Sequence, residues 1–359
     1  MIKFLAVLLV FLSFLVCEVA FADNSKPKQL KAEELSSTRI TPYLKDNIIP
    51  GKNQIFCLTF QIAWDIVSDE IIKEPLQLDG HPPLELMLNE RMTGAKDISE
   101  NSYLAMAGLN RDGIEGKIRQ ALRSKFNEEP SIDISLAHPS EILAYAFLFK
   151  DLRFDQEFES LEAPVLFKGE VPVNAFGIKK YSFGEAHKLL GQQVEIIDYS
   201  NDNDFIISLK SSSPQDELIL AKVKPGGTLL ETVNSVFKRF GPGNKTSMKE
   251  NDSLQIPKID FDVLREYSEI RDNAVLNKGF TNCFLAKAIQ KIRFRLNQKG
   301  ALLKSDAGIK FEFYGGPMQR SKKLVFDQPF LLCLKEKSAK YPYLVMWIEN
   351  AELLLQTSQ

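Results

Sequence analysis

The sequence predicts an α+β fold, because helical patterns are concentrated in the first third of the chain and strand patterns fill most of the remainder. Phe60, Trp64 and Val67 recur at three- and four-residue spacing, which is typical of a helix with one buried face. From Glu141 onward, short apolar runs bounded by charged or turn residues indicate strands. The chain has 359 residues, of which 44% are hydrophobic, and this is sufficient for a sizeable core.

Residues 1–22 have the pattern of a secretory signal peptide. Lys3 precedes an apolar run over residues 4–16, and residues 20–22 (AFA) fit a cleavage site of two small residues around a variable one. The run is shorter than the roughly 20 residues that a membrane span needs, so cleavage is favoured over an uncleaved anchor. Cys17 could mark a lipoprotein, but the valine before it is larger than the residue expected there. We therefore expect an exported protein, extracellular or periplasmic, whose mature chain begins at Asp23 and has no membrane segment.

Residues 23–52 are polar and contain three prolines, and they predict a flexible N-terminal arm before a single domain over residues 53–359. Within that domain, apolar periodicity predicts helices over residues 53–67, 101–109, 114–126 and 228–240. Strands are predicted over residues 141–150, 165–175, 192–199, 204–210, 218–223, 254–261, 283–296, 324–334 and 343–348.

Three cysteines remain after cleavage of the leader, namely Cys57, Cys283 and Cys333. Export allows disulfides, but an odd count leaves at least one thiol free or paired between chains. Each cysteine has apolar neighbours, which favours buried thiols that pack as small hydrophobic side chains. The sequence leaves any pairing among them open.

Patterns that would indicate catalysis or metal binding are scarce. The sequence contains no GxSxG, CxxC or phosphate-loop motif, and its histidines, His81, His138 and His187, lie in polar or proline-bounded segments where we expect them to face solvent. The 45 basic and 47 acidic residues balance to a net charge of −2, which argues against a nucleic-acid-binding surface. We expect no catalytic residue, no metal site and no cofactor, and therefore a protein that is not an enzyme.

Six short motifs occur in a characteristic order between residues 55 and 355. They are LAM at 104–106 with the apolar helical pattern after it, LGQQVEIIDY at 190–199, LQIPKI at 254–259, a strand ending RLNQKG at 287–300, FDQPFL at 326–331 and VMW at 345–347. In content and order these motifs resemble the serpin family, and Asn297 and Gly300 match the family's hinge in register. The resemblance implies N-terminal helices followed by large mixed and antiparallel β-sheets.

The chain also departs from the family pattern. Only residues 127–142 separate the segment that resembles the third family helix from a strand that resembles both the third and the second strand of the large sheet. With either assignment, part of the intervening helix and strand block is missing. Tyr145, Arg153 and Gln290 replace an asparagine, a tryptophan and a histidine of the region where that sheet opens. We therefore expect a reduced and divergent serpin-like protein.

The resemblance implies inhibition of serine-type endopeptidases by an exposed reactive loop over residues 300–325, with a hinge at Asn297, Gly300 and Ala301. In the family a protease cuts this loop, which then inserts as a new central strand of the large sheet. The bulky pair Leu302-Leu303 would slow the start of insertion. The alternative is a non-inhibitory binding or structural protein that keeps the fold and has lost the trap.

Two residue counts place the scissile bond differently. Counting forward from the hinge gives Tyr314-Gly315, and counting backward from the FDQPFL motif gives Met318-Gln319, four residues later. Arg320 lies just beyond and would attract a trypsin-like protease through its charge. Residues 311–317 also fit an ordinary strand and turn, with no protease involved.

Overall fold

The computed structural model describes residues 28–151, 153–179, 184–241, 245–299 and 321–357. The predicted signal peptide and the hinge residues Gly300 and Ala301 lie outside the described residues. So do all the candidate scissile-bond residues, which are Tyr314, Gly315, Met318, Gln319 and Arg320.

Helices make up a small part of the described chain. The first α-helix, Thr59–Ile66, continues into a π-helical turn at Val67–Ile72. The α-helices are α1 (Thr59–Ile66), α2 (Pro83–Asn89), α3 (Ile114–Phe126), α4 (Glu185–Gln192) and α5 (Leu229–Phe237), and short 3-10 turns lie at Ala32–Glu34, Ala95–Asp97, Glu100–Ser102, Asn110–Asp112 and Ala351–Leu353.

Strands dominate the structure. They are β1 (Gln29–Lys31), β2 (Thr38–Thr41), β3 (Asn53–Cys57), β4 (Tyr103–Leu109), β5 (Glu141–Asp151), β6 (Glu159–Ser160), β7 (Val165–Phe167), β8 (Val171–Val173), β9 (Ala175–Ile178), β10 (Val194–Asn201), β11 (Asp204–Leu209), β12 (Asp216–Lys222), β13 (Thr246–Ser247), β14 (Ser253–Pro257), β15 (Ile259–Glu266), β16 (Asn273–Ala274), β17 (Phe284–Leu296), β18 (Lys323–Val325), β19 (Phe330–Glu336) and β20 (Leu344–Ile348).

In the described residues these strands form three sheets and a β7–β8 hairpin. The six-stranded sheet has the order β1-β15-β17-β5-β4, with β16 paired to the N-terminal end of β17. The eight-stranded sheet has the order β13-β10-β11-β12-β19-β20-β3-β2, and the four-stranded sheet has the order β18-β14-β9-β6. Parallel pairs in each sheet make all three mixed. The predicted α+β class, with few helices and large mixed sheets, is confirmed.

Local sequence explains why α3 and α5 form where they do. Ile114, Ile118 and Leu122 recur every four residues on α3 and are buried. Asn127 ends that helix in the left-handed conformation at a φ of 52°. Helix α5 begins with a capping box, in which the Thr228 hydroxyl accepts a hydrogen bond from the Glu231 amide and the Glu231 carboxylate accepts one from the Thr228 amide.

A flexible arm was predicted over residues 23–52, but its described part, residues 28–52, is built into the sheets. Strand β1 pairs in parallel with β15, and β2 pairs in parallel with β3. Between them, the Glu352 carboxylate accepts hydrogen bonds from the Ser36 and Ser37 amides and from the Thr38 hydroxyl. This stretch therefore forms an edge of both large sheets. Local sequence did not indicate this pairing, because two of its partners, β15 and Glu352, lie more than 200 residues away in the sequence.

Two predicted helices contain strands instead. Residues 103–109, with the sequence YLAMAGL, form β4, which pairs antiparallel with β5 while α1 and α3 contact it. A strand covered on both faces has a continuous apolar sequence, and this pattern is easily mistaken for a helix. Residues 53–57 form β3 between β2 and β20, and the helix begins only at Thr59.

The buried thiols are confirmed. Cys57, Cys283 and Cys333 are free and buried, and burial raises the pKa of each thiol. They pack as apolar side chains, two of them in the largest core cluster and Cys283 in the cluster beneath α1.

Candidate functional site

The candidate site is the seam where β5 and β17 pair in parallel in the six-stranded sheet. The register runs from Phe284 opposite Glu141 to Arg295 opposite Asp151. Core side chains around α1 cover one face of the seam, and side chains around α3 cover the other. Strand β17 leads to the predicted hinge, so the seam lies directly before the predicted reactive loop.

On one face of this seam, cationic side chains of β17 contact aromatic rings of β5. The Lys291 ammonium lies 5.4 Å from the ring centre of Phe147, and the Arg293 guanidinium lies 5.2 Å from the ring centre of Phe149. Each cation lies directly opposite its aromatic partner in the strand register. Cation–π contacts of this kind contribute about 0.5–2 kcal/mol each, depending on burial.

Two cations of β17, Lys291 and Arg295, form ion pairs with β15. Lys291 Nζ lies 3.2 Å from Asp262 Oδ2 on β15, and both side chains are buried. Arg295 Nε lies 3.0 Å from Asp260 Oδ2 on the same strand. Desolvation raises the pKa of Asp262, although the Lys291 charge acts in the opposite direction. Strand β17 is therefore bound by charge to β15 and by cation–π contacts to β5.

Gln290 lies on the opposite face of β17 and is fully buried. Its carbonyl oxygen accepts a hydrogen bond of 2.6 Å from the Tyr267 hydroxyl. Its amide nitrogen donates to the Cys57 carbonyl and to the Thr59 hydroxyl, at 3.0 Å each. Because Cys57 ends β3, Gln290 connects the six-stranded sheet to the eight-stranded sheet and to the start of α1.

Tyr145 and Arg153, the other replacements at the sheet-opening region, have different surroundings. Tyr145 is fully buried under α3 with Ile118 and Ile289, and lies beside the seam on β5. The Arg153 carbonyl accepts a hydrogen bond of 2.9 Å from the Ser212 amide, so this residue lies beyond the end of β5. Only Tyr145 and Gln290 border the seam itself, one on each face.

The connector, which we define as residues 127–140 between α3 and β5, lies against the seam. Arg293 Nη1 lies 3.1 Å from Glu128 Oε1. Lys287 Nζ donates a hydrogen bond of 2.7 Å to the Asp133 carbonyl, and Ile134 is buried. Arg293 and Lys287 thus attach the connector to β17. Because the connector leads directly into β5, separating β5 from β17 would disturb these contacts.

Asn297 is the one predicted hinge residue within the described chain. It is 9% exposed, and its side-chain oxygen accepts a hydrogen bond of 2.9 Å from the Lys299 amide. The carbonyl of Gln298 accepts a second hydrogen bond, of 3.0 Å, from the Phe158 amide. These bonds hold the chain at the end of β17 up to the point where the described residues stop.

After the predicted loop, the next described residues lead into the four-stranded sheet. The Lys322 amide donates to Asp252 Oδ1 at 2.7 Å, and β18 pairs in parallel with β14. Lys222 Nζ, only 4% exposed, lies 2.6 Å from Asp327 Oδ1. Phe326 and Phe330, from the FDQPFL motif, are fully buried with ring centres 5.2 Å apart. The two ends of the predicted loop are thus anchored on two different sheets.

The histidine prediction is wrong for His187. This side chain is 5% exposed, and its Nδ1 has no hydrogen-bond partner among the described residues. His81 is largely exposed and lies 3.2 Å from Glu85, whereas His138 is exposed beside Ser140. Within the described ranges, no group of three or more His, Cys, Asp or Glu residues could hold a metal ion.

Sequence reasoning missed the pairing of cations with aromatic rings across the seam. The alternating segments KIRFR of β17 and FLFK of β5 predicted strands. The register between them could not be predicted, because it pairs residues about 140 positions apart. The sequence did contain a signal for this pairing. Cations occupy every second position of KIRFR and phenylalanines every second position of FLFK, so each set lies on one face of its strand.

Comparison with known proteins gives weak sequence matches. No protein-family model matches the chain. The membrane protein insertase YidC of Haemophilus influenzae, from strains PittEE and KW20/Rd, is 26% identical over 162 residues. The match covers 41% of this chain and 28% of the insertase, so the chain spans under a third of the curated relatives that it matches. No helix in the described part of the chain is long and apolar enough to cross a membrane.

Comparison with solved structures finds serpins. Serpin48 from the insect Tenebrio molitor has a TM-score of 0.47 at 10% identity, covering 82% of this chain and 91% of that one. Thyroxine-binding globulin in complex with thyroxine has a TM-score of 0.47 at 12% identity, covering 83% and 93%. Uncleaved ovalbumin has a TM-score of 0.47 at 10% identity, covering 82% and 92%.

Proposed function

We propose that this protein is an exported serpin-like protein that acts on serine-type endopeptidases through a loop over residues 300–325, and that it is not an enzyme. The observation that carries the proposal is the seam. Strand β17 runs in parallel beside β5 and ends at Leu296, directly before Asn297 of the predicted hinge. A chain that leaves β17 and turns back would run antiparallel to both strands, so a cleaved loop would fit between them as a new central strand.

The order of the six sequence motifs supports the same proposal. Strand β17 ends with the first two residues of the RLNQKG motif, and the FDQPFL motif anchors the chain after the predicted loop through buried phenylalanines. Both ends of the loop are thus attached to the folded body, and a protease could bind the segment between them as it binds a substrate.

A second candidate, a non-inhibitory binding or structural protein, is favoured by the contacts across the seam. Insertion would separate Lys291 from Phe147 and Arg293 from Phe149, and it would displace the connector held by Glu128. These contacts oppose opening of the sheet, so a protease could complete hydrolysis before the loop inserts. The two candidates therefore differ in the rate of insertion relative to hydrolysis.

Incubation with a panel of serine proteases, followed by a denaturing gel, tests the proposal. Trypsin-like and chymotrypsin-like enzymes should cut first between residues 314 and 323, as mass spectrometry of the earliest fragments would show. We expect mostly cleaved protein with a minor band of covalent complex. First cuts elsewhere in the folded domain would contradict the bait role, whereas cleavage with no complex at any protease ratio would establish the second candidate.

A further inference from the structure

A pocket of about 630 Å³ lies where the end of α3, the end of β5 and the serine-rich turn before β12 meet. We call it the basic pocket. Its lining includes Arg123, Lys125, Lys150 and Arg153 together with the turn at residues 211–213. It adjoins the C-terminal end of the seam, since Phe149, which contacts Arg293 across the seam, is also part of its lining.

The floor of the basic pocket is a buried polar network. Lys150 Nζ lies 2.9 Å from Asp216 Oδ2 and donates a hydrogen bond of 2.9 Å to the Ser102 hydroxyl. Asp216 also accepts a hydrogen bond of 2.7 Å from the Tyr343 hydroxyl. Burial acts to raise the pKa of Asp216, but the Ser213 hydrogen bond and the Lys150 charge lower it overall. The network holds the Lys150 ammonium in a fixed position, 13% exposed.

Lys150 keeps a donor for a ligand. An ammonium group has three N–H donors, and the structure accounts for two of them, to Asp216 and Ser102. The third has no oxygen or nitrogen acceptor among the described residues, and the ammonium lies 5.2 Å from the ring centre of Tyr343.

Lys125 on the rim lacks a partner carboxylate. Its ammonium lies 5.5 Å from the ring centre of Tyr103 and 5.7 Å from that of Phe126. In the part of the chain that the structure describes, no carboxylate lies within ion-pair distance of it. Partial burial lowers the pKa of Lys125, and the charge of the more distant Glu100 offsets only part of that decrease. A ligand anion would supply the missing counter-charge.

The acidic groups near the basic pocket offset only part of its charge, because neither Asp216 nor Glu129 forms an ion pair with Lys125. Asp216 is the carboxylate in the lining and is already bonded to Lys150 and Tyr343. Arg123 is paired with Glu129, but both side chains are more than half exposed. Such exposed pairs contribute roughly 0–1 kcal/mol, so Arg123 can turn toward a ligand at little cost.

We propose that the basic pocket binds a compact polyanion carrying phosphoryl groups. Arginine and lysine bind phosphoryl oxygens through charge-assisted hydrogen bonds, and the arginine fork matches two oxygens at once. The volume exceeds that of a single phosphate and is within the roughly 300–1,000 Å³ of small-molecule sites. A ligand there would join α3 and β5 to β12, and thus the six-stranded sheet to the eight-stranded sheet.

Isothermal titration of the full-length protein with inorganic pyrophosphate tests this proposal. Chloride is used to hold ionic strength constant, and inorganic sulfate is titrated in parallel. We expect saturable pyrophosphate binding with a dissociation constant below about 1 mM, and a higher melting temperature when pyrophosphate is present. Sulfate should bind at least several-fold more weakly, because it offers one tetrahedral group and fewer charges.

The variant Lys125→Glu should weaken pyrophosphate binding by at least about tenfold, since it replaces an attractive charge with a repulsive one. The matched control is Lys117→Glu, which makes the same change on the exposed side of α3, about 12 Å away along the helix axis. The control should change affinity less than about twofold. Circular dichroism confirms that both variants are folded.

Three results would overturn the proposal. The first is wild-type protein that shows no saturable binding of pyrophosphate. The second is an equal loss of affinity in both variants, because that pattern would mean general electrostatic attraction rather than a site. The third is sulfate binding as tight as that of pyrophosphate, which would contradict the phosphoryl assignment.

Discussion

The seam between β5 and β17 and the centre of the eight-stranded sheet are both buried, yet different interactions hold them. Across the eight-stranded sheet, Leu220, Leu332, Met346 and Ile55 form one row of fully buried apolar side chains on antiparallel strands. Across the seam, the strands are parallel, and one face carries cations stacked on aromatic rings.

This difference suggests separate roles for the two regions. Opening the eight-stranded sheet would expose apolar side chains to water. This exposure is unfavourable, and water forms no contacts with these side chains that would offset it. Opening the seam would expose lysine and arginine, whose charged ends water solvates well. The eight-stranded sheet is thus the scaffold, and the seam is where two strands can separate at the smaller cost.

The largest expected effect is in the scaffold. Leu332→Ala removes a fully buried side chain from the centre of the apolar row, so we expect it to lower the free energy of unfolding by about 2–5 kcal/mol. Urea denaturation followed by circular dichroism measures this loss. A loss below about 1 kcal/mol would mean that the scaffold is less tightly packed than the seam, and the comparison would fail.

An intermediate effect is expected at Gln290, where the two sheets are joined. Gln290→Met keeps the volume but leaves the Tyr267 hydroxyl and the Cys57 carbonyl without their partner, so we expect a loss of about 2 kcal/mol. Adding Tyr267→Phe removes one of the orphaned groups, and the double variant should recover part of the loss. An equal loss in the double variant would show that Gln290 acts by packing alone.

A smaller effect is expected across the seam. Phe149→Leu removes the ring beneath Arg293 and should lower stability by about 1 kcal/mol. Phe261→Leu is the control, since the Phe261 ring lies 5.9 Å from that of Phe294, between β15 and β17 and away from the seam. If the seam resists insertion, only Phe149→Leu should increase the fraction of covalent complex on the protease gel. An equal increase in both variants would mean that general destabilisation, not the seam, controls insertion.

The smallest effect is expected from loop cleavage in the unaltered protein. We expect the melting temperature to rise only slightly after a cut between residues 314 and 323, because the cross-seam contacts and the connector oppose insertion. Differential scanning calorimetry of intact and cleaved protein measures the shift. A large rise would show that the intact state is strained and would favour a working inhibitor.

Much of the candidate site could be predicted from local sequence patterns. The alternation in residues 283–296 predicted the strand β17, and the RLNQKG motif identified Asn297 at its end. The register with β5 was not accessible, because the partner strand lies about 140 residues earlier. Contacts that depend on register, such as Lys291 with Phe147, therefore could not be predicted.

The sequence by itself determined the α+β class, the burial of the cysteines, and helices such as α3 and α5, whose periodicity and caps are local. Only the tertiary structure decided that YLAMAGL is a strand, that residues 29–31 and 38–41 join the sheets, and that four separate segments form the basic pocket. The physical reason is that helix hydrogen bonds close within four residues, whereas strand hydrogen bonds and pocket walls require partners distant in the sequence.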